Sequence, residues 1–208
     1  MRTTDLFPSE PCLEQVHIQD ANVSYIRQFE LAQSPELIMQ ELISTVPWRA
    51  ENVVVWGKAY PQPRLIAWYG DPERSYTYSG IRLQPLPWTS LLLEIKSRVE
   101  AISGSEFNSV LLNYYRDNRD SMGFHSDDEP ELGLHPTIAS ISLGQERSLI
   151  FKHKTAQSLK RIRLPLGSGS LLIMSGETQR YWLHGIEKER KQCGPRVNLT
   201  LRRIYDHR

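Results

Sequence analysis

The sequence predicts a mainly β fold of the α+β class, a double-stranded β-helix (jelly-roll) core braced by N-terminal helices. From residue 107 onward, six short runs rich in β-branched and apolar residues are separated by turn residues. Many short strands at this spacing are typical of an all-β sandwich or barrel. Before residue 105, two segments carry their apolar residues at helical spacing instead.

The two helices are bounded by residues that start and stop helices. Ser34 is a suitable N-cap and Pro35 a suitable first-turn residue, so the first helix is predicted to run to about Thr45. The second helix is predicted to begin after Pro87 and to end at Gly104. Both are expected to be scaffold.

The strands are predicted by apolar runs of the length that strands have. The core runs are SVLLNYY, TIASISL, RSLIFKH, RIRLPL, GSLLIM and RVNLTLRRI. The earlier runs ANVSYI, NVVVW, RLIAWYG and SYTYSG would extend the same sheets. Residues 1–17, which are polar and contain two prolines, are expected to form an irregular arm.

Composition excludes several classes of protein. With 208 residues, 39% of them hydrophobic and 24% charged, the chain suits one folded domain. A net charge of +1 leaves nucleic-acid contacts, if any, to local patches. Cys12 and Cys193 lack the spacing of a disulfide framework or thiolate metal site, which favours a reducing compartment. Because no segment approaches the roughly 20 apolar residues of a membrane span, secretion and membrane insertion are not expected.

Three side chains form a candidate metal site. His125 and Asp127 are two residues apart, so on an extended backbone both point to the same face. His184 lies near the end of a predicted strand, where a closed sandwich can place it opposite that pair. Two histidines and one carboxylate suit iron(II) with positions left for a 2-oxo acid and dioxygen, although a zinc hydrolase uses the same ligand types.

The last predicted strand favours iron over zinc. Arg196, Asn198, Thr200 and Arg202 alternate with apolar residues and therefore share one face. That face is either solvent-exposed or a receptor for a carboxylate such as the distal one of 2-oxoglutarate. Zinc hydrolysis has no need of such a receptor.

Polar residues flank the candidate ligands on other segments. Asn113 and Tyr115 are again two apart and can donate hydrogen bonds to the same anion. Asp128, directly after a candidate ligand, could reach a substrate beside the metal. A separate basic segment could follow a phosphate backbone or simply face solvent, and it comprises Lys152, Lys154, Lys160, Arg161 and Arg163.

These segments resemble the AlkB family of iron(II)- and 2-oxoglutarate-dependent dioxygenases, in particular its DNA-repair members. The resemblance covers about residues 52–205 and rests on four motifs in order: LLNYYRDNRDSMGFHSDDEPEL, PTIASISLG, GSLLIMSGETQRYWLHGI and PRVNLTLRRI. It implies iron at His125, Asp127 and His184. It also implies that 2-oxoglutarate is bound by Arg196 and Arg202, with help from Asn113, Tyr115 and Thr200.

The resemblance further implies a reaction. Such enzymes use dioxygen and 2-oxoglutarate to oxidise an N-methyl group, releasing succinate, CO2 and formaldehyde from bases such as 1-methyladenine or 3-methylcytosine. The substrate implied is alkylated DNA, single- or double-stranded, and possibly RNA. The base must be flipped out or already unpaired, because a base in a duplex cannot reach a buried iron.

Substrate contacts implied by the resemblance lie upstream of the core. Tyr76 and Tyr78 resemble a base-stacking pair, although alternating tyrosines are also common on half-buried strands. Trp56 resembles a wedge that fills the gap left by a flipped base, with Gly57 at the turn, although a core aromatic is an equally good interpretation. Lys58 and Arg64 would then lie near phosphates.

Three regions are expected within one compact domain: an N-terminal arm and helix (1–50), a nucleotide-recognition region with its supporting helix (51–104), and the jelly-roll catalytic core (105–208). The protein is expected to be a monomer inside the cell, cytoplasmic, or nuclear if the source is eukaryotic. Two alternatives stay open. The same iron chemistry could act on RNA, a protein or a small molecule, and the chain could be a non-catalytic nucleic-acid-binding jelly roll.

Overall fold

The computed structural model describes residues 13–55, 58–72, 76–78 and 81–205, with backbone only at 53–55, 58–59, 76–78 and 81–83. Three α-helices lie in these ranges: α1 Pro35–Thr45, α2 Ser90–Ser103 and α3 Thr178–Tyr181. A short 3-10 helix spans Pro130–Leu132. The strands are β1 Glu14–Val16, β2 Asn22–Ile26, β3 Asn52–Val55, β4 Lys58–Pro61, β5 Leu65–Gly70, β6 Tyr76–Tyr78, β7 Ile81–Leu83, β8 Ser109–Tyr115, β9 Met122–His125, β10 Ile138–Gly144, β11 Arg147–His153, β12 Ile162–Leu166, β13 Ser170–Ser175, β14 Trp182–Ile186 and β15 Arg196–Arg202.

Two antiparallel sheets form the jelly roll, as predicted. The large sheet has the strand order β1-β2-β13-β10-β15-β8-β5, and the small sheet has the order β12-β11-β14-β9. The chain passes repeatedly between them, since β8, β10, β13 and β15 lie in the large sheet and β9, β11, β12 and β14 in the small one. Two further hairpins, β3-β4 and β6-β7, lie on either side of β5 along the chain and form separate two-stranded sheets. The prediction that the runs NVVVW and SYTYSG extend the main sheets is therefore wrong, because in the described residues β3 pairs with β4 and β6 pairs with β7.

The helices begin and end where local signals predict. The Ser34 hydroxyl accepts a hydrogen bond from the backbone N–H of Leu37, which caps α1. Thr89 does the same for Leu92 at the start of α2. Gly104 ends α2 in the left-handed region with φ of 63°, where the lack of a Cβ removes the steric penalty.

The large sheet separates two hydrophobic cores. One core lies between this sheet and the helices and contains Leu42 of α1, Val99 of α2 and Leu199 of β15. The other lies between the two sheets and contains Leu172 of the large sheet and Phe151 of the small sheet. The central strands of the large sheet, such as β10 and β15, therefore have both faces buried, and their side chains on the face away from the helices point into the sandwich.

The N-terminal prediction needs one correction. Glu14–Val16, predicted to be part of an irregular arm, form β1 and pair with β2 at the edge of the large sheet. Side chains alternate between exposed and buried positions along β2 but not along β1, so β1 lacks the pattern that identifies a strand. None of the helices among the described residues is long and apolar enough to span a membrane.

Candidate metal centre and anion pocket

The two candidate histidines lie on neighbouring strands of the small sheet. His125 ends β9 and faces His184 in the middle of β14, with ring centroids 4.5 Å apart. The sequence indicated that a closed sandwich can place His184 opposite the first pair, and the structure does so by making His125 and His184 cross-strand partners in one sheet. Such partners on one face are close enough to bind a single ion.

Gly185 allows β9 and β14 to approach closely beside the histidines. A Cβ at this position would lie 3.0 Å from the carbonyl oxygen of Met122 and 3.2 Å from backbone atoms of Gly123. The pairing register also shifts between His184 and Ile186. Irregularities of this kind often re-aim side chains at functional sites, and here the shift immediately follows the candidate ligand on β14.

Asp127 completes the cluster from the loop after β9. Its Oδ1 lies 3.9 Å from His125 Nε2 and its Oδ2 lies 3.7 Å from His184 Nε2. Ligand atoms of all three residues lie within 4.8 Å of one another. The backbone N–H of Asp127 donates to Oε1 of buried Gln179, which fixes the loop.

The donor atoms fit an iron(II) ion. His125 Nδ1 is 3.0 Å from the carbonyl oxygen of Gly123, which leaves Nε2 as the atom facing the cluster. Asp127 Oδ2 is buried and has no hydrogen-bond partner in the described part of the chain, a costly state unless a cation approaches it. Two imidazoles and one carboxylate are the ligand set that iron(II) oxygenases use.

Electrostatics keep both buried ligands in their metal-binding forms. Burial, with a smaller contribution from the neighbouring His125 ring, lowers the pKa of His184 to about 3, so its imidazole is neutral at pH 7. Burial alone would raise the pKa of Asp127. The neighbouring groups, first among them the Arg202 guanidinium with its charge and its hydrogen bond, outweigh burial and lower that pKa, so the carboxylate is ionised.

The stability of the metal-free protein is expected to fall as the pH drops from about 7 to 5. Below the ordinary histidine pKa of 6.5, unfolded chains bind a proton that folded His184, with a pKa of about 3, does not. Acidification therefore favours unfolding between these pH values. The lowered pKa of Asp127 makes stability depend on pH only below the ordinary aspartate value of 3.8, so it does not contribute to this change. Urea unfolding at both pH values measures the effect. His184→Gln should reduce the change in the free energy of unfolding between pH 7 and 5, whereas His17→Gln, at an exposed histidine, should not. The same change in both variants would contradict the assignment of this pH dependence to His184.

The polar face of β15 points into the sandwich, not toward solvent. Arg196, Asn198, Thr200 and Arg202 are each 9% exposed or less. They line a cavity between the sheets together with Tyr115 and the three candidate ligands. The solvent alternative is therefore wrong, because the small sheet covers this face of β15. The role of the face as a carboxylate receptor stays a prediction.

Arg196 and Arg202 occupy different parts of this cavity. Arg202 Nη2 donates to Asp127 Oδ1 at 2.6 Å, so Arg202 holds the carboxylate ligand in place. Arg196 Nη2 donates to the Ser142 hydroxyl at 2.9 Å, whereas its buried Nε and Nη1 have no hydrogen-bond partner among the described residues. The Arg196 guanidinium is therefore the group best placed to take a carboxylate.

Asn198 and Thr200 are engaged with each other and with β10. Asn198 Nδ2 donates to the Ser140 hydroxyl and to the carbonyl of Ile141, both at 2.8 Å, and its Oδ1 accepts from the Thr200 hydroxyl at 3.0 Å. They form the cavity wall and keep it rigid. Ser140 and Ser142 of β10 accept hydrogen bonds from Asn198 and Arg196, and they were not predicted as site residues. They alternate with apolar residues in TIASISL, as the polar residues of β15 do, so this alternation could have identified them.

Asn113 and Tyr115 both lie on β8, beside β15. Tyr115 is 1% exposed and its ring lies 5.1 Å from the Arg196 guanidinium carbon. Asn113 Oδ1 accepts from Arg64 Nε at 2.7 Å, and its buried Nδ2 has no partner within the described ranges. The predicted phosphate contact of Arg64 is therefore wrong, because that side chain is 4% exposed and points toward Asn113.

The remaining predicted substrate residues are only partly described. Trp56 and Gly57 lie outside the described residues. Lys58 begins β4, and Tyr76 and Tyr78 form the ends of β6, for which the backbone alone is described.

Asp128 and the predicted basic segment are largely engaged in ion pairs. Asp128 pairs with Lys154 at 2.8 Å. Arg161 and Arg163 both pair with Glu187, at 3.2 and 3.0 Å. Three of the five basic side chains therefore have acidic partners from other parts of the chain, which a count along residues 152–163 could not reveal.

The fold and the site together define the class of protein. A jelly roll with two histidines and an aspartate beside an arginine-lined cavity suits an iron(II) enzyme with an anionic co-substrate, and the 2OG-Fe(II) oxygenase superfamily profile matches residues 22–202.

Curated relatives give the family. The chain is 44% identical over 176 residues to mouse "Alpha-ketoglutarate-dependent dioxygenase alkB homolog 3", covering 81% of this chain and 61% of that protein. It is 38% identical over 203 residues to human "DNA oxidative demethylase ALKBH2", covering 93% of this chain and 77% of that protein. The chain belongs to the AlkB family of 2OG-Fe(II) oxygenases.

A solved structure supports the fold. "The structure of OsALKBH1" aligns with a TM-score of 0.63 and 20% identity, covering 87% of this chain and 97% of that one. The chain spans about three fifths of the length of the alkB homolog 3 proteins that it matches.

Proposed function

We propose that this chain catalyses iron(II)- and 2-oxoglutarate-dependent oxidative dealkylation of N-alkylated bases in DNA. The observation that carries the proposal is the juxtaposition of the His125, Asp127 and His184 cluster with a cavity that presents two buried nitrogens of Arg196. The names of the relatives, one a dioxygenase and one a DNA oxidative demethylase, support the reaction and the substrate class.

The residues of the chain divide the work of binding. His125, Asp127 and His184 would hold iron(II), which when bound would activate dioxygen for the oxidation of a C–H bond. Arg202 keeps the carboxylate ligand ionised and oriented. Arg196 would take the far carboxylate of 2-oxoglutarate, with Asn113 Nδ2 as a further donor nearby.

The site is open on the side where a substrate would enter. The His125 side chain is 30% exposed, whereas those of Asp127 and His184 are 2% and 6% exposed. A methyl group can therefore approach past His125 while the co-substrate occupies the buried side. Hydroxylation of an N-methyl carbon gives an unstable hydroxymethyl product that releases formaldehyde and leaves the nitrogen with a hydrogen.

The test is turnover on defined lesions. Single- and double-stranded oligonucleotides carrying 1-methyladenine or 3-methylcytosine are incubated with iron(II), 2-oxoglutarate and oxygen, and formaldehyde and succinate are measured. Equal amounts of both products on DNA are expected. Turnover of methylated RNA alone would contradict the DNA assignment, and no turnover on any substrate would favour a non-catalytic binding module.

Trp56→Ala is expected to reduce turnover of duplex DNA more than that of single-stranded DNA. A wedge is needed only where a base must be extracted from its stack, and unstacking costs a few kcal/mol. The measurement is formaldehyde release on matched single- and double-stranded oligonucleotides, with Trp48→Ala as a control at a tryptophan packed against the helix-side core. Equal losses on both substrates in Trp56→Ala would contradict the wedge assignment.

A further inference from the structure

Another buried arginine, Arg147, lies behind the anion pocket. Arg147 begins β11 in the small sheet, and its side chain is 1% exposed. It does not line the cavity that contains the metal ligands. A fully buried guanidinium is costly unless its hydrogen-bonding groups and charge are used.

Arg147 ties together two loops at one end of the sandwich. Its Nη1 donates to the carbonyl of Asp117 at 3.4 Å, and its Nη2 donates to the carbonyls of Asp120 and Glu187 at 3.1 and 2.5 Å. The first loop directly follows Tyr115 of β8, and the second directly follows β14, the strand of His184. Arg147 therefore connects the anion-binding side of the site to the metal-binding side.

Two guanidinium groups lie close to the ring of Tyr115. The Arg147 carbon is 5.9 Å from the ring centroid, and the Arg196 carbon is 5.1 Å from it. Both distances are within the range of cation–π contacts. The ring is also 1% exposed, so the two cations fix it in a space that water does not reach.

The positive charge at this end is only partly compensated. Glu189 is the acidic partner of Arg147, at 3.6 Å, and its side chain is 44% exposed. Burial and the charge of Arg147 both lower the pKa of Arg196, which means that the two cations repel each other in the closed interior. A bound carboxylate would relieve that repulsion.

We propose that Arg147 is a positioning residue for the far carboxylate of 2-oxoglutarate. It holds Tyr115 against Arg196 and adds a second positive charge behind the pocket. The inference rests on the proposed function, since it assigns to Arg147 a part in binding the same co-substrate. Arg147 does not touch the ligand and acts through Tyr115 and Arg196.

The experiment measures binding without turnover. Mn(II) replaces iron(II), and calorimetry gives the affinities of Mn(II), of 2-oxoglutarate and of 2-oxopentanoate, which lacks the far carboxylate. Arg147→Gln is expected to weaken 2-oxoglutarate binding about 10-fold, the lower end of what residues that orient a binding group cost. The affinities for Mn(II) and for 2-oxopentanoate should stay within about two-fold of those of the unaltered protein. A purely structural role of Arg147 would instead weaken all three affinities, because a general loosening of the site does not distinguish the far carboxylate.

Control variants separate positioning from folding. Arg119→Gln removes an exposed arginine of the same loop, paired with Asp117, and should change none of the three affinities. Arg147→Lys keeps the positive charge but lacks the planar guanidinium with its paired N–H donors. If Arg147→Gln does not fold, Arg147→Lys is used instead, and it is expected to lose about three-fold in affinity for 2-oxoglutarate alone.

Three outcomes are decisive. Unchanged 2-oxoglutarate affinity in the folded variants overturns the role of Arg147. Equal weakening for 2-oxoglutarate and 2-oxopentanoate overturns it as well, because the loss would then not concern the far carboxylate. If the unaltered protein itself does not bind 2-oxoglutarate, the proposed function fails instead.

Discussion

Asp127→Ala is expected to lower the affinity for iron(II) more than about 100-fold and to abolish succinate and formaldehyde formation. Mutating a group that merely orients a metal ligand typically costs 10- to 100-fold in metal affinity or activity, so losing the ligand itself should cost more. The variant also leaves the Arg202 guanidinium without its buried carboxylate partner. Mn(II) binding followed by electron paramagnetic resonance measures the first effect, and product analysis measures the second.

The matched control for Asp127→Ala is Asp117→Ala. It also removes an aspartate paired with an arginine, Arg119 at 2.7 Å, but that pair lies at the surface. Exposed pairs contribute at most about 1 kcal/mol, so metal binding and turnover should be unchanged. Metal affinity retained in Asp127→Ala would show that this carboxylate is not a ligand.

The parts of the fold that local chemistry determines could be predicted from the sequence. The start of α1 at Pro35 and the end of α2 before Gly104 depend on a cap and on a left-handed residue, both of which are visible in the sequence. Core strands such as β8 and β11 are apolar runs of seven residues, long enough to be identified as strands from the sequence. Short strands were missed, as in β9, where MGFH has no alternation to identify.

The candidate site could be predicted as a set of residues but not as an arrangement. The alternation along β15 shows that its two faces differ, yet not that both are buried. That depends on helices packing on the large sheet from elsewhere in the chain. Arg64 illustrates the same limit, since its partner Asn113 is 49 residues away and is reached only through the pairing of β5 with β8.

Arg196→Ala is expected to weaken 2-oxoglutarate binding by about 30-fold or more. Truncating one partner of a buried, hydrogen-bonded charge pair costs about 2–5 kcal/mol, and each 1.4 kcal/mol is a factor of ten. The residue is 2% exposed and faces the cavity from the start of β15. Calorimetry with Mn(II) in place of iron(II) measures the loss, which should appear in turnover as a raised KM for 2-oxoglutarate.

Two further variants show whether the Arg196 guanidinium itself is responsible for 2-oxoglutarate affinity. Arg196→Lys keeps the charge without the planar fork and should recover only part of the affinity. Val197→Ala alters the next residue of the same strand, which packs in the helix-side core, so it should lower the free energy of unfolding without changing 2-oxoglutarate affinity. If Arg196→Ala binds 2-oxoglutarate as tightly as the unaltered protein, the far carboxylate lies elsewhere. The cavity would then have to hold the co-substrate through Arg202, whose guanidinium already bonds Asp127.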